Sequence, residues 1–270
     1  MTKCHYIFLL IPVILLSGCC QRRDDKSLSE YSASSTAGRA YNFERYAFGL
    51  DSLPAEEALD RQRKRMMIDD STLFQEELAL QNHYFSNPNS PYRNEEYMIP
   101  VLESCIESPF ASQQQKFEAQ TNLPLFNLNR IGEEAADFSF TLRSGQTSSL
   151  SSIKADYIIL FFSNPECGDC RRITELLSSD AALKQAQDNG KIVIVNIFPD
   201  DDIDIWLKCS ADYPKEWVKG FAPGIDEPSA FGEQLYNLRA VPSLYLLDSE
   251  KRVVLKDAPP ERILSRIFRR

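Results

Sequence analysis

The sequence predicts an α/β domain over residues 131–270, preceded by a small all-α domain over residues 41–130. Two observations carry this expectation. Past Gly132, apolar runs rich in β-formers alternate with stretches of helical periodicity. Between Tyr41 and about Leu123, apolar residues instead recur at helical spacing, with no strand pattern among them.

The chain opens with Lys3 and an apolar run from Tyr6 to Leu16, followed by the small residues Ser17 and Gly18. That run is far shorter than the ~20 residues of a permanent membrane span, so residues 1–18 read as a signal peptide. The string Leu16-Ser17-Gly18-Cys19 resembles the lipobox of bacterial lipoproteins. The resemblance implies cleavage before Cys19 and acylation of that cysteine, a better fit than Cys20. It places the mature protein in a bacterial cell envelope, anchored by lipid, on the outer membrane facing the periplasm. Residues 19–40 are polar and Ser-rich, with little to bury, and read as a flexible tether. Some twenty such residues reach roughly 25 Å.

In the helical part, Ser52 is the expected N-cap of a helix carrying Glu56 and Glu57 early and Met66 to Ile68 late. A second helix is expected from Ser71 through Phe85, ended by Asn87-Pro88-Asn89-Ser90-Pro91. A third covers Glu95 to Glu107, and a weaker fourth Ser112 to Gln120.

In the second domain, Phe138 to Leu142 alternate as a short strand. Tyr157–Phe162 form a continuous apolar run, Lys191–Phe198 contains Ile192-Val193-Ile194-Val195, and Ser243–Leu247 precedes Asp248, a turn and Arg252–Leu255. Helices are expected at Arg171–Leu183 and Pro260–Phe268. Strands buried on both faces and alternating with helices predict a largely parallel central sheet. The span from Asp200 to Leu238 reads as a long connection. Its Trp206, Trp217 and Cys209 are expected to be packing residues, as is Cys105 in the helical part. The cations Arg266, Arg269 and Arg270 close an amphipathic helix whose dipole they complement. No internal repeat is visible.

Composition narrows the function. The net charge of −9 argues against a nucleic-acid partner, which needs a concentrated basic face. Of seven cysteines, only Cys167 and Cys170 have the spacing of a redox or metal pair. A structural zinc site needs four ligands, and the chain has only the histidines His5 and His83 and no second pair of cysteines at that spacing, so no metal is expected. The pair lies where the buried run ending in Phe161-Phe162 meets a helical stretch, in Ser163-Asn164-Pro165-Glu166-Cys167-Gly168-Asp169-Cys170. A cysteine opening a helix faces unpaired amides and the positive dipole end, which favours its thiolate. The second cysteine, one turn later, lies within disulfide reach. Spacing alone leaves two readings, a pair that cycles between dithiol and disulfide and a permanent structural disulfide.

The string Arg239-Ala240-Val241-Pro242-Ser243 resembles the segment of thioredoxin-fold proteins that sets a cis-proline against the redox cysteines. With the strand, Cys-x-x-Cys and helix upstream, this resemblance covers about Gly132 to Arg270. By layout the chain is similar to membrane-anchored TlpA/ResA-type thiol-disulfide oxidoreductases. Its helical part and Ser90-Pro91-Tyr92-Arg93-Asn94-Glu95 resemble the uncharacterised domain preceding thioredoxin modules in Bacteroidetes lipoproteins. The resemblance implies a thioredoxin-like fold, a mixed central sheet flanked by helices, behind a small all-α domain. It implies an enzyme exchanging disulfides with protein substrates through Cys167 and Cys170. Val241 and Pro242 would face substrate, no cofactor would be needed beyond the pair, and a membrane or periplasmic electron donor would recharge it.

This chain departs from the thioredoxin pattern in three places. Glu166 stands where tryptophan is usual, and Gly168-Asp169 replaces Gly-Pro, so two carboxylates oppose the thiolate. Phe161 occupies the place of the buried acid, leaving proton transfer to Glu166, Asp169 or water. A competing reading is a non-catalytic envelope protein that uses the same scaffold to bind a partner. Copper delivery would need a histidine after His83, and peroxidases of the fold use a threonine-containing cysteine context; both are lacking.

Overall fold

The structure is a computed structural model that describes residues 36–229 and 234–268. The signal-peptide and lipobox expectations, Cys19 among them, and Arg269 and Arg270 lie outside the described residues. Phe43–Arg270 packs as one compact unit.

Five helices come first: α1 (Thr36–Leu50), α2 (Ala55–Arg65), α3 (Ser71–Gln81), α4 (Glu95–Glu107) and α5 (Gln113–Phe126). Helix α1 starts inside the span expected as tether, because Ala37 and Ala40 favour helix. Ser52 does not cap α2. Its N–H closes a turn onto Gly49, and Pro54 takes the N-cap place, where no donor is lost. Helix α3 is capped by Asp70 and runs into a π-turn, Asn82–Ser86, before the expected break at Asn87. Asn94 caps α4 through the Glu96 N–H at 3.0 Å. A reciprocal capping box between Ser112 and Gln115 starts α5, which outruns its expected end because Phe126 is buried.

These helices close over Phe43, Phe74, Phe85, Met98, Ile99 and Val101. Two amides sit inside this core and satisfy each other: Gln62 Nε2 donates to Gln81 Oε1 at 2.7 Å and to the Tyr97 carbonyl at 3.0 Å.

The second half forms a sheet of seven strands in the order β2-β1-β5-β4-β3-β6-β7. The strands are β1 (Ser139–Leu142), β2 (Thr147–Ser149), β3 (Tyr157–Phe162), β4 (Ile192–Phe198), β5 (Val218–Phe221), β6 (Ser243–Asp248) and β7 (Val253–Leu255). Only β3–β4 and β4–β5 pair in parallel; the other four pairings are antiparallel. The sheet is therefore mixed rather than largely parallel, because β6 and β7 form a hairpin and β1 enters against β5. The helix expected over Arg171–Leu183 is two: α6 (Gly168–Ser179) and α7 (Ala181–Asp188). Asp180 divides them by accepting the Leu183 N–H at 2.9 Å. The long connection contains α8 (Ile203–Cys209) and β5, and α9 (Pro260–Phe268) closes the chain.

Alternate residues of β3 serve opposite faces, as a strand dictates. Ile159 and Phe161 pack with Cys170, Ile173 and Leu177 of α6 and Ile263 of α9. Ile158, Leu160 and Phe162 pack with Phe138, Phe140, Tyr236 and Tyr245. No described apolar cluster mixes residues of the helical part with those of the sheet part. Their junction is polar: Lys256, 5% exposed, reaches Glu95 at 2.8 Å and the Phe126 carbonyl at 2.8 Å. Arg239 Nε donates to Glu95 Oε1 at 2.9 Å. No described helix is long and apolar enough to cross a membrane.

Candidate active site

The buried strand β3 delivers the chain to a loop stapled at several points. Asn164 Oδ1 accepts the Glu166 N–H at 2.7 Å, while its amide donates to Asp200 at 2.6 Å. Arg171 donates to the Pro165 carbonyl at 2.9 Å. This loop sets Cys167 at the N-cap of α6, with extended φ −74 and ψ 125.

Cys167 is half-buried, and its sulfur accepts the Cys170 N–H at 3.4 Å, a backbone donor aimed where a thiolate would carry charge. Both cysteines are thiols in this structure. Cys170 lies one turn inside and is fully covered. Burial pushes its thiol far above the ordinary value, opposed by a backbone N–H of Asn164 and reinforced by Cys167 and the Asp169 charge. The two sulfurs thus differ in access, and burial holds Cys170 back from ionising.

The Val241–Pro242 peptide bond is cis, as the resemblance implies. The Val241 carbonyl lies 3.8 Å from Cys167 Sγ, so the two segments meet although 74 residues separate them. Glu166 and Asp169 are exposed. Asp169 approaches Arg172 at 3.7 Å, and among the described residues neither carboxylate hydrogen-bonds a cysteine sulfur. The structure thus brings Cys167, Cys170, Val241 and Pro242 together and leaves the two acids on the rim.

Sequence reasoning missed a polar cluster beneath the pair. Asn196 of β4 donates to Ser163 Oγ at 2.6 Å, and Ser163 Oγ lies 3.0 Å from the Tyr213 hydroxyl. Burial pushes Tyr213 up to about 12, with the cysteines Cys170, Cys209 and Cys167 adding to the rise. One signal was present: an asparagine in the run Ile192-Val193-Ile194-Val195-Asn196-Ile197-Phe198 must find a partner if the strand is buried. Trp206 and Trp217 are buried, and Trp217 meets Phe161 edge-on at 6.3 Å. Cys105 is buried with its thiol pushed up by desolvation, whereas Cys209 is only half-buried. Among the described residues no group of three or more His, Cys, Asp or Glu side chains is placed to hold a metal ion.

Residues 50–129, most of the helical part, match the family described as a domain of unknown function, DUF5106. Comparison with curated proteins gives no match. Among solved structures, a thioredoxin-like protein from Bacteroides caccae is 32% identical over 99% of both chains, with a TM-score of 0.75. A conserved protein of unknown function from Bacteroides fragilis is 34% identical over 51% of this chain and 98% of its own, with a TM-score of 0.48. The C-terminal domain of an uncharacterized protein from the same species is 36% identical over 52% of this chain and 98% of its own, at 0.48. The match with the Bacteroides caccae protein covers both the helical and the sheet parts, and at this identity the chain belongs to the thioredoxin-like proteins.

Proposed function

We propose that the chain is a thiol-disulfide oxidoreductase acting on protein substrates through Cys167 and Cys170. The observation that carries this reading is the asymmetry of the pair. Cys167 is reachable and receives a backbone N–H, while Cys170 is covered and held protonated by burial.

In the reducing direction, the Cys167 thiolate bonds to one sulfur of a substrate disulfide as that S–S bond breaks. The other substrate sulfur leaves as a thiolate and takes up a proton. Cys170 then passes its proton to Glu166, Asp169 or water, bonds to Cys167 Sγ and releases the first substrate sulfur as a thiol. Two electrons have moved from the pair to the substrate, and a membrane or periplasmic dithiol donor restores them. The same steps in reverse oxidise a substrate dithiol. Val241 and Pro242 form the wall against which the substrate chain lies.

Cys170→Ser is expected to accumulate covalent complexes released by dithiothreitol, whereas Cys167→Ser accumulates few. The wild type is expected to reduce insulin. Equal trapping by both variants overturns the assigned roles. Absence of trapping and of insulin reduction favours a binding protein on the same scaffold.

The lipobox resemblance supports a lipid anchor at Cys19 and a place in the cell envelope. Cys19→Ala is expected to move the protein from the membrane fraction to the soluble one. Unchanged sedimentation would put the anchor elsewhere.

A further inference from the structure

A cleft of 530 Å³ opens beside the redox pair, and its two sides come from different halves of the chain. One side holds Val241, Pro242 and, at the start of α6, Asp169. The other is the loop 88–93 of the helical part. That loop is fixed to the redox side by one residue. Arg93 pairs with Asp257 Oδ1 at 3.2 Å and donates to the Asp257 carbonyl at 2.9 Å. The Asp257 carboxylate also accepts from Ser243, the neighbour of Pro242, at 3.1 Å, and meets Arg239 at 3.4 Å. The spacing between the loop and the cis-proline segment is therefore set by partly buried ion pairs rather than by a free linker.

Three features of the cleft describe its occupant. Its cations are already matched: Arg93 and Arg239 by Asp257 and Glu95, and Arg172 by Asp169, which leaves no surplus charge to attract a small anionic disulfide. Prolines 88, 91, 242, 259 and 260 line it, giving rigid apolar contacts that donate no N–H. Donors are instead concentrated on one edge. Among the described residues the N–H groups of Arg239, Ala240 and Val241 reach no protein acceptor, and the buried Asn237 amide nitrogen beside them has none either. Unpaired main-chain donors and prolines lining one cleft suit an extended polypeptide, whose carbonyls pair on the edge and whose side chains pack on the rings.

We infer that the helical part of the chain, through the loop 88–93, forms the outer wall of the substrate cleft and selects an extended polypeptide segment around the reactive cysteine. This rests on the oxidoreductase reading of Cys167 and names the substrate class of that same site.

The test uses the full chain and two probes with the same thionitrobenzoate leaving group. One is the mixed disulfide of free cysteine, the other that of a ten-residue peptide with a central cysteine. The wild type is expected to favour the peptide probe by roughly tenfold, since alignment along the cleft brings the disulfide to Cys167. Asn89 is exposed, and among the described residues its side-chain amide makes no hydrogen bond. Asn89→Trp is expected to cut the peptide-to-cysteine rate ratio by roughly tenfold, because the ring occupies the cleft. Pro88→Trp, at a neighbouring exposed wall position, should give the same fall, whereas Gln114→Trp, remote on α5, should keep the wild-type ratio. If the wild type reduces both probes at equal rates, or if both wall variants keep its ratio, the inference is overturned. If the wild type reduces neither probe, the oxidoreductase reading itself fails, and this inference with it.

Discussion

At the scale of single residues, burial separates the two cysteines more than chain position does. Cys170 has no exposed surface and its thiol sits far above the ordinary value of 9.0, so the folded, reduced protein keeps its proton where the unfolded chain loses it. A group whose pKa is raised by folding contributes stability that is present below its unfolded value and lost as pH rises. Between pH 9 and 11 the reduced wild type should lose ~1.4 kcal/mol of stability per pH unit through Cys170. Cys170→Ala lacks this slope, so the stability gap between the two proteins should narrow across that range in urea unfolding under reductant. Parallel pH profiles would mean that Cys170 ionises as readily inside as outside. Below the pair, Asn196, Ser163 and Tyr213 satisfy one another through hydrogen bonds. Their hydrogen bonds fix the loop at the end of β3, and with it the start of α6.

At the scale of elements, what was legible in the sequence follows from how completely each segment is buried and how it is capped. Strand β3 carries an unbroken apolar run, and β4 one interrupted only by Asn196, because both their faces are covered. Asn94 with Glu95 and Glu96 marks the start of α4 by ordinary capping chemistry. Edge strand β2, Thr147–Ser149, has no buried residue and so no apolar signal. Strand β5 was hidden for another reason, its glycine. A Cβ on Gly220 would lie 2.5 Å from Phe140 Cδ2 and 2.7 Å from Ile197 Cδ1, so the missing side chain makes room for the ring that packs on it. Gly220→Ala is therefore expected to cost about 1–3 kcal/mol through overpacking. Pairing it with Phe140→Leu, which makes room for the added carbon, should restore part of that loss. Thermal denaturation measures both, and a Gly220→Ala protein as stable as wild type would refute the close packing. In the candidate site the same division holds. Cys167, Cys170 and Pro242 announce themselves by local motif. Asn196 and Tyr213 lie 33 and 50 residues from Ser163, and only the parallel pairing of β3 with β4 and the path of the chain after α8 bring them together.

At the scale of the whole molecule, the helical and redox parts have separate apolar cores joined by a charged junction. That arrangement makes different demands on the two halves when they are parted. Severing an apolar core exposes surface that water penalises; severing an ion-pair junction returns charges to water, which solvates them well. A chain starting at Ile131 is therefore expected to fold cooperatively on its own, since all members of both sheet-face clusters, from Ala135 to Phe268, remain present. The junction residue Lys256 provides an internal check. In the full chain it is 5% exposed, pairs with Glu95 and donates to the Phe126 and Leu128 carbonyls. Lys256→Met there leaves the buried Glu95 with Arg239 alone and should cost about 3–5 kcal/mol. In the chain starting at Ile131 those partners are gone and the ammonium faces water, so the same substitution should change stability by less than about 0.5 kcal/mol. Urea unfolding of the four proteins reads both differences at once. A large cost in the shortened chain would place the role of Lys256 inside the redox half. Failure of that chain to unfold cooperatively would show that the sheet needs the helices for its own stability.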